Sequence, residues 1–145
     1  LAASERAFWR DRSEGISRQV IAKEQRPMKS INLNEKLALF DSHWDPHVVA
    51  SYNDNDIMVV KFKGEFPFHK HDNTDDLFLV LDGQVTMDFE DHAPVTFGPG
   101  ELVVVPKGVV HRPRAQSEVK VLLIEPSGEP NTGDSGVPPA PKPHI

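Results

Sequence analysis

The run LFLVLDGQVTMDF, residues 77–89, decides the fold. Two stretches rich in leucine, valine and phenylalanine meet across Asp82-Gly83. Residues of this kind suit a pleated, half-buried surface. A two-residue Asp-Gly loop between two such runs is the strongest short-range signal for a β-hairpin. Further runs of the same type lie on either side. HVVASY (47–52) is followed by the turn NDND (53–56), and IMVVKFK (57–63) ends at Gly64. Downstream, APVTF (93–97) ends at Gly98-Pro99-Gly100, ELVVV (101–105) at Pro106-Lys107-Gly108, and EVKVLLIE (118–125) closes the series. So many short strands with no convincing helix between them predict an all-β domain, a sandwich or a small barrel.

The 145 residues suffice for one domain and are too few for two of ordinary size. With 38% hydrophobic and 26% charged residues, the composition is that of a globular protein. The longest apolar runs have four or five residues, far short of a bilayer span. The opening LAASERAFWRDR is broken by charge, so no signal peptide is expected. Without cysteine there can be no disulfide, thiolate metal site or cysteine nucleophile. That absence fits a reducing compartment, and a cytoplasmic location is expected. A net charge of −6 disfavours a phosphate-backbone partner, so nucleic acid and membrane roles are set aside.

Charge divides the chain into three parts. Residues 1–27 carry six basic and four acidic groups, and a weak stripe over 15–26 is compatible with a helix. They read as an extension, since MKSINL from Met28 looks like a natural start. Residues 28–125, with nine basic and sixteen acidic groups, hold all the strands. Residues 126–145 hold six of the thirteen prolines and little that can pack, which predicts an exposed or disordered tail.

The histidines supply the chemistry. His69 and His71 stand two apart, so on an extended segment both leave one face, about 7 Å apart. They can converge on one ion only where the strand is twisted or bulged. Asp76 follows the short turn DNTD, which would return it beside the pair. His111 follows Pro106-x-Gly108, a corner able to aim it inward. Three neutral nitrogens and one carboxylate form a borderline-hard donor set suited to Mn, Fe, Co, Ni, Cu or Zn.

Two stretches carry a family resemblance. Gly64-EFPF-His69-Lys70-His71-DNTD-Asp76-LFLVLD-Gly83 resembles the first cupin motif, and Gly100-ELVVV-Pro106-Lys107-Gly108-VV-His111 resembles the second in full. The resemblance spans about 28–126. It implies a conserved β-barrel of jelly-roll type (a double-stranded β-helix), often dimeric, with one divalent transition metal ion per chain in its mouth. On that implication the ligands are His69, His71, Asp76 and His111. The nearest kin are small stand-alone cupins, often labelled mannose-6-phosphate isomerase-like. Two departures stand out: Asp76 replaces the usual glutamate, one methylene longer, and Ala115 stands where an asparagine is common.

The resemblance implies a metal-dependent enzyme acting on a small, polar, oxygen-rich molecule, by isomerase or lyase chemistry or by a dioxygenase route. The competing reading is a binding module that holds a small ligand without turnover. No general base can be named from the sequence. Arg112 and Arg114 would suit an anionic substrate if their shared face were the mouth, and otherwise form an outer basic pair. His43, Trp44 and His47 are expected to pack or to face solvent, His92 to mark a hairpin tip, and Tyr52 to pack. Phe62, Phe66, Phe68, Phe78, Phe89 and Phe97 are expected in the core and pocket lining.

Overall fold

Alternation at a spacing of two governs the strands of the computed structural model, which describes residues 27–145. The helix considered for 15–26 lies outside those residues. A short helix, α1 (Leu33–Leu37), precedes seven strands: β1 (His47–Tyr52), β2 (Asn55–Glu65), β3 (Asp76–Asp82), β4 (Val85–Phe89), β5 (Val95–Phe97), β6 (Leu102–Val105) and β7 (His111–Pro126). All pairings between strands are antiparallel, in the order β1-β2-β7-β3-β6, with β4 on β7 and β5 on β4.

β7 organises the barrel. Its C-terminal half lies between β2 and β3, and its first residues pair with β4. The sequence reading began this strand at 118, whereas it starts at His111. Inward positions His111, Pro113 and Ala115 are buried and alternate with Arg112 and Arg114. The period of two is kept there, but no large apolar side chain marks the inward face.

The Asp-Gly signal has a different meaning from the expected hairpin. β3 pairs with β6 and β7, and β4 pairs with β5 and β7, so β3 and β4 do not pair with each other. Both run antiparallel to β7, β3 along residues 120–124 and β4 along residues 111–114. The chain therefore continues along β7 through a kink at Gly83-Gln84. Gly83 has φ +88, and a Cβ there would lie 2.9 Å from the Glu118 carbonyl oxygen. The glycine serves a close backbone approach, the other standard use of glycine in a strand.

Inward positions of the strands build one core, with Met58, Val60, Val80, Met87 and Val121 fully buried. A second cluster on the outside joins Leu37 of α1 to Val49 and Val59. Asn32 caps α1 by accepting from the Glu35 amide at 3.0 Å.

Residues 126–145, expected as an exposed or disordered tail, are largely exposed, and hydrogen bonds tie them to the barrel. The Val48 amide donates to Pro143 O (2.7 Å), the Ile145 amide donates to Val48 O (3.0 Å), and Ile145 joins the outer cluster. Thr132 is 5% exposed. Proline removes amides that would otherwise need partners and stiffens the chain, so few anchoring hydrogen bonds hold such a segment.

Candidate metal centre

The turn after β2 and the start of β7 bring His69, His71 and His111 together. His69 and His111 form an antiparallel bridge through two reciprocal amide-to-carbonyl bonds of 2.9 Å. The Gly108 amide donates to His71 O (2.8 Å), and the Lys107 amide to the Asp75 carboxylate (2.9 Å). Asp75 thus secures the Pro-x-Gly corner. The neighbouring Asp76 takes the first inward position of β3, where it is 3% exposed.

One donor atom from each of His69, His71, Asp76 and His111 lies within 4.8 Å of the others, and all four residues are buried. The rings are oriented from behind. His69 Nδ1 donates to Pro67 O and His111 Nδ1 to Val109 O, both at 2.9 Å, while His71 Nδ1 lies 3.3 Å from Glu129 Oε1. These oxygens only accept, so each Nδ1 carries a proton and the Nε2 atoms are left for the interior. Asp76 Oδ2 stands 3.3 Å from His111 Nε2 and 3.4 Å from His71 Nε2. His71 Nε2 and Asp76 Oδ1 are buried without a hydrogen-bond partner. Two buried polar atoms without partners in one cluster are a deficit that a cation would fill once the His71 Nε2 proton has left. These residues could hold a divalent transition metal ion.

Burial holds His69 down, to about 4, with His111 and His71 adding to the effect. Burial also acts to lower His71, but the charges of Asp76 and Glu125 with Glu129 beside it prevail, and it is raised to about 9. Burial would raise Asp76, yet the adjoining His111 and His71 hold its carboxyl well below the usual range. Burial and then the Asp76 charge push Glu125 up to about 8.

Glu125 escaped the sequence reading. It is 2% exposed and completes the inward series Val119, Val121, Leu123 on β7, so the period of two was its signal. The pairing of Leu77 with Ile124 sets it opposite Asp76. Glu125 and Asp76 both line a small cavity of about 30 Å³, together with Trp44, Phe62, Phe66, Phe78, Leu123, His69 and Asn131. Trp44 was expected only to pack or to face solvent. Its backbone is left-handed (φ 57), a costly conformation for a bulky residue, held by hydrogen bonds to Lys61 O and Lys63 O. The ring stacks on Phe62 at 4.4 Å.

The remaining candidates stand apart. Arg112 and Arg114 point outward and share Asp88 (3.0 and 2.8 Å), so they do not serve the mouth. Phe68, expected in the core or pocket, is 43% exposed beneath the Arg112 guanidinium. Tyr52 is 65% exposed rather than packed. His43 meets Glu118 at 2.8 Å, and His47 stacks on Phe40.

Comparison with known proteins agrees with this fold. The sequence profile described as "Cupin domain" matches residues 56–125. A crystal structure of a cupin-2 domain containing protein from Shewanella frigidimarina is 45% identical, with a TM-score of 0.64 over 66% of this chain and 93% of that one. The chain belongs to the cupin family. Another relative is YdbB of Bacillus subtilis, 32% identical over 77 residues, which cover 53% of this cupin and 68% of YdbB. The fold also matches a hydroquinone 1,2-dioxygenase of Sphingomonas sp. TTNP3. That match has 22% identity and a TM-score of 0.63, and covers 69% of this cupin and 33% of the other chain, a likeness of fold alone.

Proposed function

We propose that this cupin is a mononuclear metal enzyme. Its substrate is a small molecule with a planar, largely apolar body and an oxygen donor that reaches the histidine–aspartate centre. The observation that carries the reading is the junction of that centre with an aromatic-walled cavity. His69 and Asp76 belong to both. No lysine or arginine lines the cavity among the described residues, which disfavours a phosphorylated or carboxylate sugar. The dioxygenase-type branch is therefore favoured over isomerase or lyase chemistry on a sugar.

A metal bound by His69, His71, Asp76 and His111 would supply Lewis acidity toward a carbonyl or hydroxyl oxygen, and dioxygen chemistry if it is iron. The protein's own residues do the rest. Trp44, Phe62 and Phe78 hold a ring and exclude water, and Asn131 offers an amide to a polar substituent. Glu125 is the one ionisable side chain lining the cavity besides His69 and Asp76, so a proton moved at the bound molecule passes through it.

We also read this cupin as a cytoplasmic homodimer. The register places Ile124, Leu77 and Val104 in one outward apolar row and Leu122, Leu79 and Leu102 in the next, with Leu102 56% and Val104 47% exposed.

The test is metal content per chain in untagged protein purified without chelator, followed by oxygen uptake of the metal-loaded protein with phenols, enediols and sugar acids. Near-stoichiometric metal with turnover of ring compounds is the expected result. No uptake of Mn, Fe, Ni or Zn would sink the enzyme and leave a binding module. Such a module would be stabilised by its ligand without forming product.

A further inference from the structure

Each candidate ligand histidine needs a partner behind its ring, and two find it locally. His69 and His111 each use the carbonyl two residues earlier, as does His47 outside the centre. His71 does not follow this pattern. The carbonyl two residues before it belongs to His69 and already accepts the His111 amide. Its Nδ1 turns instead to Glu129, fifty-eight positions further along, in the proline-rich C-terminal segment.

That segment grips the His69-Lys70-His71 turn from outside the barrel. The Lys70 amide donates to Asp134 Oδ1 (2.7 Å), and the Asp134 amide donates back to Lys70 O (3.3 Å). Between them Gly133 passes so close that a Cβ would stand 2.4 Å from Lys70 O and 3.0 Å from the His69 ring. Lys142 ties the returning chain to the Glu129 carbonyl and to Glu125 Oε2. The backbone that carries Glu129 is thus tied to Lys142 through its own carbonyl and, five residues on, to the histidine turn through Asp134.

We propose that residues 127–145 are a strap belonging to the metal centre, and that Glu129 is the positioning residue for His71. The proposal rests on the metal-centre reading above and extends it to a part of the chain outside the two cupin motifs. Glu129 fixes the ring so that Nε2 faces His69, Asp76 and His111. Without it the ring can turn about its Cβ–Cγ bond, or place its proton on the coordinating nitrogen.

The test uses the full chain with Glu129→Ala and Glu129→Gln, and Zn²⁺ alone as probe. Zinc affinity is measured by competition with a chromophoric chelator. The histidine Nδ1–H signals are followed by ¹⁵N-edited NMR in the metal-free protein, with those of His69 and His111 as internal controls. Glu129→Ala is expected to weaken zinc binding about 10- to 100-fold and to remove the slowly exchanging His71 Nδ1–H signal alone. Glu129→Gln, whose amide oxygen still accepts, is expected to restore that signal and part of the affinity. A general structural role would instead disturb all three rings or go unrescued by glutamine, which overturns the proposal. So does a Glu129→Ala protein that keeps the signal and binds zinc within twofold. If the unaltered protein binds no zinc, the metal reading fails, and the NMR comparison still decides whether Glu129 positions His71.

Discussion

Raising the pH from 7 to 9 is predicted to tighten metal binding about 50-fold. In the free protein His71, beside Asp76, holds a proton up to about 9, whereas a metal ligand must present a neutral nitrogen. The free state therefore carries one proton that the bound state lacks, and affinity rises with pH. A group titrating near 9 is neutral in about 1% of molecules at pH 7 and in about half at pH 9, which sets the ratio. The gain corresponds to about 2.3 kcal/mol and levels off above the pKa. His69 adds nothing in this range, because burial keeps it neutral well above 4, and Asp76 is ionised throughout. Glu125, pushed up to about 8, ionises within it and adds to the rise, so the figure of about 50-fold is the His71 share. Calorimetric titration with Zn²⁺ at pH 7, 8 and 9, against a competing chelator, measures the slope. Repeating the pH 7 titration in buffers of different ionisation enthalpy counts the released protons, with about one expected from His71. A flat affinity with no proton released would show that the free centre is already neutral at His71. The pairing of Asp76 with that ring would then be wrong.

Two further outcomes follow from the fold. Gly83→Ala forces a Cβ against the Glu118 carbonyl at a positive φ and is expected to lower stability by about 1–3 kcal/mol in urea unfolding, with zinc affinity unchanged in the folded fraction. A neutral effect would mean that β3 and β4 can part from β7 at the kink. Arg112→Ala and Arg114→Ala remove half-exposed partners of Asp88 and should each cost less than about 1 kcal/mol by the same assay. Loss of metal or ligand binding in either would place them at the mouth after all.

Much of this could be read in the chain because strands and turns are local. Short runs of valine, leucine and phenylalanine mark β2, β3 and β7 as strands, and His69, His71, Asp76 and His111 occur in two short motifs whose spacing is itself informative. Glu125 continues the inward series from Val119, but a charged residue at the end of an apolar run carries no local sign of its own that it is buried. The kink at Gly83 was not legible either, since Asp-Gly between apolar runs describes a reversal and a close approach equally well. Only the pairing of β3 and β4 with β7 decides between them.

The sequence by itself therefore determined the class of structure, most of the strands and the candidate metal donors, all set by near neighbours along the chain. The tertiary structure alone decided what depends on distant segments meeting. It set Glu125 opposite Asp76, turned Arg112 and Arg114 outward, and folded Trp44 over an aromatic cavity. It also brought the proline-rich segment back so that Glu129 stands behind His71. Composition described that segment as poor in packing groups, and it is; a few hydrogen bonds to Lys70, His71 and Val48 supply what burial does not.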